Sequence, residues 1–278
     1  MKVTGSLFRN APEKAITLLG MSGIGKTHLA SLLPRDKWFH YSGDYRIGTR
    51  YLNEPILDAV KVEAMKNAVL RELLCSDSIY IRNNITFTHL QPISSYLGKI
   101  GDSRKGGLDL ETFKQRQRLF RWAEVQAMKD VACFIGKARG IYGYPNFLND
   151  AGGSICGLGH EECWEGLSQH TIVLYLKADQ TMENTLIERA RACPKPLFYE
   201  EPFLDQSLEE YIQSNNLNEV GDIDPDAFVQ WVFPRLISHR RDQYETIAER
   251  YGYIVDASRM HELENESDFF DLICEAMS

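Results

Sequence analysis

Apolar positions along the chain follow two rhythms. Short, nearly continuous runs at 15–19 (Ala-Ile-Thr-Leu-Leu) and 171–178 (Thr-Ile-Val-Leu-Tyr-Leu-Lys-Ala) predict buried strands. The second is apolar on both sides, as expected of a central parallel strand. Residues 37–42, rich in aromatics, predict a strand, and so do 252–256 and the weakly apolar 144–149, which carries Asn146 and Asn149. Elsewhere the apolar spacing stretches towards a helical repeat. Ile56, Val60, Met65, Val69 and Leu73 predict a helix from 56 to 75. The longest such pattern, 108–138, carries Phe113, Leu119, Trp122, Val125, Met128, Val131 and Phe134, expected to lie on the sheet. Further helices are predicted to about Leu33, stopped by Pro34, and over 182–193, stopped by Pro194 and Pro196, then at 206–214, 225–250 and 262–277.

Residues 76–108 fit neither rhythm and end in Gly101-Asp102-Ser103-Arg104-Lys105-Gly106-Gly107, an exposed loop. Arg104 and Lys105 there either meet a substrate phosphate or are simply solvated. Strands alternating with helices predict an α/β fold, a three-layer sandwich with a five-stranded parallel sheet. Residues 51–140 then form a large helical insertion after the second strand, within one domain covering 1–278.

The first strand runs into Gly20-Met21-Ser22-Gly23-Ile24-Gly25-Lys26-Thr27, and His28 continues into a helix. This is G-x-x-x-x-G-K-[ST], a phosphate loop in its strand–loop–helix context. Glycines allow the tight turn that points several N–H groups at one anion, and the helix terminus adds positive charge behind them. Lys26 is placed to reach the β- and γ-phosphates and the Thr27 hydroxyl to ligate Mg²⁺. Residues 20–28 are thus the candidate ATP-binding stretch.

Other strand ends carry chemistry too. Asp44, with Arg46 behind it, follows the second strand, where open α/β sheets place ligand contacts; the alternative is an Asx turn in which Asp44 caps a helix. Asp150-Ala151-Gly152-Gly153 follows the third strand; there Asp150 is a candidate for the Mg²⁺ shell, or part of a simple turn. Arg189 and Arg191, on the helix after the fourth strand, can cover a transferring phosphate or line a solvated face.

The layout resembles the P-loop small-molecule and nucleoside-monophosphate kinases, with the phosphate loop carrying the motif-strength match. The resemblance implies phosphoryl transfer from ATP·Mg²⁺ to a small acceptor bound by the insertion. It gives Lys26 and Thr27 their loop roles. Asp44 takes the place of the acid that contacts the acceptor hydroxyl in shikimate- and gluconate-type kinases, Asp150 that of the metal-shell acid, and Arg189 and Arg191 that of lid arginines. Two departures stand out. The stretch between the loop and Asp150 is much longer than in small kinases, and arginines two apart on a continuous helix face different ways.

Competing readings are an ATPase or a nucleotide-dependent switch or sensor without an acceptor. The chain has no Asp-Glu dipeptide, the pair with which many hydrolysing motors polarise water. A GTPase would use 150–153 as D-x-x-G and Leu176-Lys177-Ala178-Asp179 as a guanine motif, with leucine where a polar residue belongs.

Composition narrows the field further. With 278 residues, 44% hydrophobic and 25% charged, the chain is ordinary for a globular protein. A net charge of −8 argues against broad nucleic-acid or membrane-surface binding. No apolar stretch is long enough to span a membrane. Six scattered cysteines without C-x-x-C suggest reduced thiols and a cytoplasmic setting. Cys156, His160 and Cys163 are close in sequence, but lack a fourth metal ligand nearby. Oligomeric state has no signature.

Overall fold

The computed structural model describes residues 3–159 and 161–278. After α1 (Gly5–Asn10), β1 (Ala15–Leu19) leads through the glycine loop into α2 (Lys26–Leu32), and β2 (Trp38–Ser42) follows. Next come α3 (Gly43–Arg46), a π-helical turn (Ile47–Tyr51), α4 (Asn53–Ala64), α5 (Ala68–Cys75) and α6 (Gln91–Leu97). Helices α7 (Leu110–Lys129) and α8 (Val131–Gly140) precede β3 (Asn146–Asp150), α9 (Glu161–His170) and β4 (Ile172–Lys177). The chain closes with α10 (Gln180–Ala192), α11 (Glu201–Ser214), α12 (Pro225–Tyr251), β5 (Gly252–Asp256) and α13 (Glu266–Ala276).

All five strands are parallel, in the order β2-β3-β1-β4-β5. The central strand β1 buries Ile16, Leu18 and Leu19 completely, each at 0% exposure. Thr17 is equally buried, and its hydroxyl meets Thr171 Oγ1 at 2.8 Å and accepts from Asn149 Nδ2 at 3.2 Å. Asn146 Oδ1 in turn accepts from Lys14 N at 2.9 Å. Polar partners therefore explain how so weakly apolar a segment becomes the buried strand β3. A glycine-bearing phosphate loop on the central strand of this sheet is a P-loop fold.

The chain divides into two compact units. The first comprises the chain up to Gly43, Glu124–Pro194 and Asp226–Ser278, and contains the whole sheet. The second comprises Asp44–Ala123 and Lys195–Pro225. The second unit overlaps the helical insertion expected at 51–140 and also draws on a stretch far along the chain. Gln117 joins these pieces: its Nε2 donates to Leu197 O at 3.2 Å and its Oε1 accepts from Tyr199 N at 2.9 Å. Asp102 N also donates to Ile223 O at 2.8 Å.

Two long helical patterns are interrupted. The 56–75 pattern breaks at Asn67, whose side chain caps α5 by accepting from Val69 N and Leu70 N. Val60 and Val69 are consequently exposed. The 108–138 pattern breaks at Asp130. Tyr41 Oη donates to Ala127 O at 2.6 Å, taking the carbonyl that the Val131 N–H would use in a continuous helix. Trp122, expected on the sheet, is 49% exposed and meets Tyr51 edge-on within the second unit.

Candidate functional site

The phosphate loop is shaped by positive φ angles at Gly20 (144°), Gly23 (87°) and Gly25 (106°), a region that side-chain-bearing residues avoid. Buried Met21 and Ile24 anchor it from below, while Ser22 and Gly23 stay exposed. Gly25 caps α2, so Lys26, Thr27 and His28 form the first turn of that helix. The Lys26 ammonium lies inside the loop, donating to Gly20 O at 2.7 Å and to Met21 O at 3.1 Å. A lysine only 8% exposed is thus hydrogen-bonded by the backbone of its own loop. Thr27 and His28 face outward.

The end of β3 reaches the same loop. Asp150 is the last residue of β3, in register with Leu18 of β1 and Ser42 of β2. A Cβ placed on Gly153 would lie 2.6 Å from Ser22 N, so the two backbones approach as only glycine permits. That turn is held from behind by residues from two other helices. Arg240 of α12 donates through Nη1 to Gly153 O at 2.9 Å. Ser154 Oγ donates to both oxygens of Glu124 in α7, at 2.9 and 3.1 Å, and Glu124 is fully buried. Sequence reading assigned no role to Glu124, Ser154 or Arg240.

Helix α10 supplies the third element. A Cβ on Gly23 would lie 3.2 Å from Leu186 Cδ2 and 3.9 Å from Arg189 Nη1. Leu186 and Arg189, three apart, therefore share the face turned to the phosphate loop. Arg191, two residues further on an unbroken helix, lies off that face, is exposed, and offers its carbonyl to Gln230 Nε2 at 2.8 Å. The helix is fixed at its N-terminal end. Asp179 caps it by accepting from Met182 N at 2.7 Å, and the buried Glu183 pairs with Arg241 of α12 at 3.0 Å. Asp179, the acid of the guanine-motif reading, thus works as a helix cap.

Asp44 is the second residue of α3 and is half-buried. The residue before it is in tight quarters: a Cβ on Gly43 would meet Met128 Cε at 2.9 Å and Asp150 O at 3.4 Å. For Mg²⁺, the available donors are oxygens, the Thr27 hydroxyl and the Asp150 carboxylate. That suits a hard cation which takes one or two protein ligands and completes its shell with water and phosphate. Among the described residues no three His, Cys, Asp or Glu side chains gather as a metal cage. Of the cysteine–histidine cluster, His160 lies outside the described residues. Cys156 and Cys163 are buried, and burial pushes the Cys163 thiol up to about 11. No helix among the described residues is long and apolar enough to cross a membrane.

No protein-family profile matches the chain, and no curated protein does. Among solved structures, it is similar to the shikimate kinase of Bacteroides thetaiotaomicron, with 16% identity over 95% of this chain and 94% of that one, at a TM-score of 0.39. It is also similar to the shikimate kinase of Acinetobacter baumannii in complex with shikimate, with 17% identity over 84% and 98% of the two chains, at a TM-score of 0.31. At such scores neither neighbour lends a role to any residue of this chain.

Proposed function

We propose that the protein is an ATP-dependent P-loop kinase that transfers the γ-phosphoryl group to a hydroxyl of a small molecule. The observation that carries this reading is the packing of α10 on the phosphate loop, which brings a guanidinium, Arg189, over the loop that also encloses Lys26. Two cations at one phosphate loop suit the charge that spreads over the equatorial oxygens during transfer.

In this reading the amides of 20–27 cradle the phosphates and Lys26 turns from the loop carbonyls to the β- and γ-phosphates. His28 sits beside them on the first turn of α2. Thr27 and Asp150 would hold Mg²⁺, which when bound would supply charge neutralisation to the phosphates. Asp44 orients the acceptor hydroxyl and takes its proton as the oxygen attacks phosphorus. The bond from the γ-phosphorus to the β,γ-bridging oxygen breaks, and ADP leaves. Arg189 covers the moving phosphoryl group, while Arg191 contributes little.

ADP release by the purified chain with Mg²⁺ tests the reading, first alone and then with pools of hydroxylated metabolites, shikimate among them. Release that rises with one pool supports a kinase. Steady release that no pool changes would favour an ATPase or switch and remove Asp44 from the chemistry. Lys26→Ala should lower turnover by roughly 100-fold or more, because positioning and charge carry most of such a reaction. Intact turnover in that variant would refute the assignment of the loop.

A further inference from the structure

Within the first unit, α12 is pinned to β4, the strand from which α10 departs. Tyr244 is fully buried and stacks on Tyr175, ring centroids 4.9 Å apart and planes at 12°. Beside it, Lys177 at the end of β4 pairs with Glu245 at 2.9 Å. One turn earlier on α12 stand two consecutive arginines, Arg240 and Arg241. Consecutive side chains on a helix diverge by about 100°, so the two reach different elements.

Each arginine ends on a wall of the phosphate loop. Arg240 Nη1 donates to Gly153 O at 2.9 Å, and Gly153 is the residue whose missing Cβ lets the β3 turn approach Ser22. Arg241 Nη1 donates to both carboxylate oxygens of Glu183, at 3.1 and 3.0 Å. The Glu183 side chain is only 7% exposed, so this pair is an internal anchor of α10. Positions 183, 186 and 189 step round that helix by about 60° each. Fixing Glu183 therefore fixes the rotation at which Leu186 and Arg189 meet Gly23. An apolar contact at 183 could hold α10 as tightly, but without a preferred rotation; charge-assisted hydrogen bonds supply the direction.

We propose that Arg240 and Arg241 are positioning residues for phosphate binding: Arg240 sets the loop through the Gly153 turn, and Arg241 sets Arg189 through Glu183. The proposal rests on the nucleotide site of the kinase reading and deepens it by assigning work to two residues that act through others. It gives the neighbouring arginines different signatures. Arg241 bears on the terminal phosphate alone, through Arg189, whereas Arg240 bears on every phosphate the loop holds.

The test is calorimetric titration of ATP·Mg²⁺ and ADP·Mg²⁺ on the full chain, with the melting temperature of each variant. Glu183→Leu with Arg241→Met exchanges the buried ion pair for apolar side chains, which often leaves stability unchanged. It should weaken ATP by roughly tenfold and leave ADP nearly unchanged, because the cation it misdirects covers the γ-phosphate. In an Arg189→Ala background the same exchange should cost less than roughly threefold, since that cation is gone. Glu183→Gln, which keeps an oxygen for Arg241, should retain most of the preference for ATP. Arg240→Met should instead weaken ATP and ADP alike, with or without Arg189, and Arg240→Lys, which keeps a donor, should recover part of the loss. The proposal is overturned if the Glu183–Arg241 exchange keeps the ATP-to-ADP ratio, if its loss multiplies in full with that of Arg189→Ala, or if R240M binds both nucleotides as the parent does. A parent chain that binds ATP but phosphorylates no acceptor would sink the kinase reading, while the affinities would still decide the role of the two arginines.

Discussion

Gly153→Ala is the sharpest perturbation the site offers, because it adds one methyl group between two backbones. The new Cβ would stand 2.6 Å from Ser22 N and 3.3 Å from Met21 C, so it falls about 0.8 Å short of ordinary contact at 3.4 Å. Neither neighbour is a side chain that can rotate away. The turn after β3 is itself restrained, by Arg240 on the Gly153 carbonyl and by Glu124 on the Ser154 hydroxyl. Relief must therefore come from displacing the phosphate loop by several tenths of an ångström. Overpacking of this kind costs about 2 kcal/mol, which corresponds to a fall in Tm of roughly 4 °C for a chain of this size. Since misplacement by about an ångström can cost on the order of 100-fold in rate, ATP affinity and turnover should fall by tenfold or more. Thermal unfolding with and without ATP·Mg²⁺, and calorimetric titration of ATP, read both effects. A G153A protein with unchanged Tm and unchanged ATP affinity would refute the claim that this turn abuts the loop.

Other expectations follow from the same geometry. Arg189→Ala should reduce phosphoryl transfer by roughly 100-fold, whereas Arg191→Ala should leave kcat nearly unchanged; equal losses in steady-state assays would contradict the facing of α10. Gly136 lies inside α8 with open space where a Cβ would go, so Gly136→Ala should stabilise by about 0.5–1 kcal/mol in chemical denaturation. Burial pushes the His40 imidazole below its ordinary value, with the Arg35 charge adding to this, and its Nε2 has no hydrogen-bond partner. The unfolded chain then binds the His40 proton at a higher pH than the folded one. Its share of stability is therefore intact above the ordinary histidine range and is lost as pH falls through that range towards the depressed value. Unfolding curves from pH 7.5 to pH 5 should show this loss, and His40→Gln should flatten it.

Much of this architecture is legible in the sequence, for identifiable reasons. Parallel strands buried on both faces must be nearly continuous apolar runs, which made 15–19 and 171–178 plain, and the glycine loop has few alternative uses. Asn146 and Asn149 weaken the third run because their partners, Lys14 and Thr17, lie more than a hundred residues away. The break at Asp130 depends on a tyrosine hydroxyl from another element, which helical periodicity does not register. Choosing between Arg189 and Arg191 needs the phase of α10 against Gly23, which spacing leaves open. Glu124, Ser154 and Arg240 come together from three distant segments, and no local pattern links them. The same holds for Gln117, which binds the stretch after Pro194 into the second unit.

The strand order also governs when the sheet can form. β1 and β2, the first two strands made, never pair with each other: Ala15 pairs with Phe147, Ile16 with Ile172, and Trp38 with Asn146. As the chain emerges from the ribosome, both strands must wait unpaired until β3 has been synthesised, with their apolar faces uncovered meanwhile. Such distant pairings make closure slow. A nascent chain stopped before residue 146 would contain the entire phosphate-loop sequence and yet no sheet to carry it, so nucleotide binding should arise abruptly during synthesis rather than with the motif that encodes it.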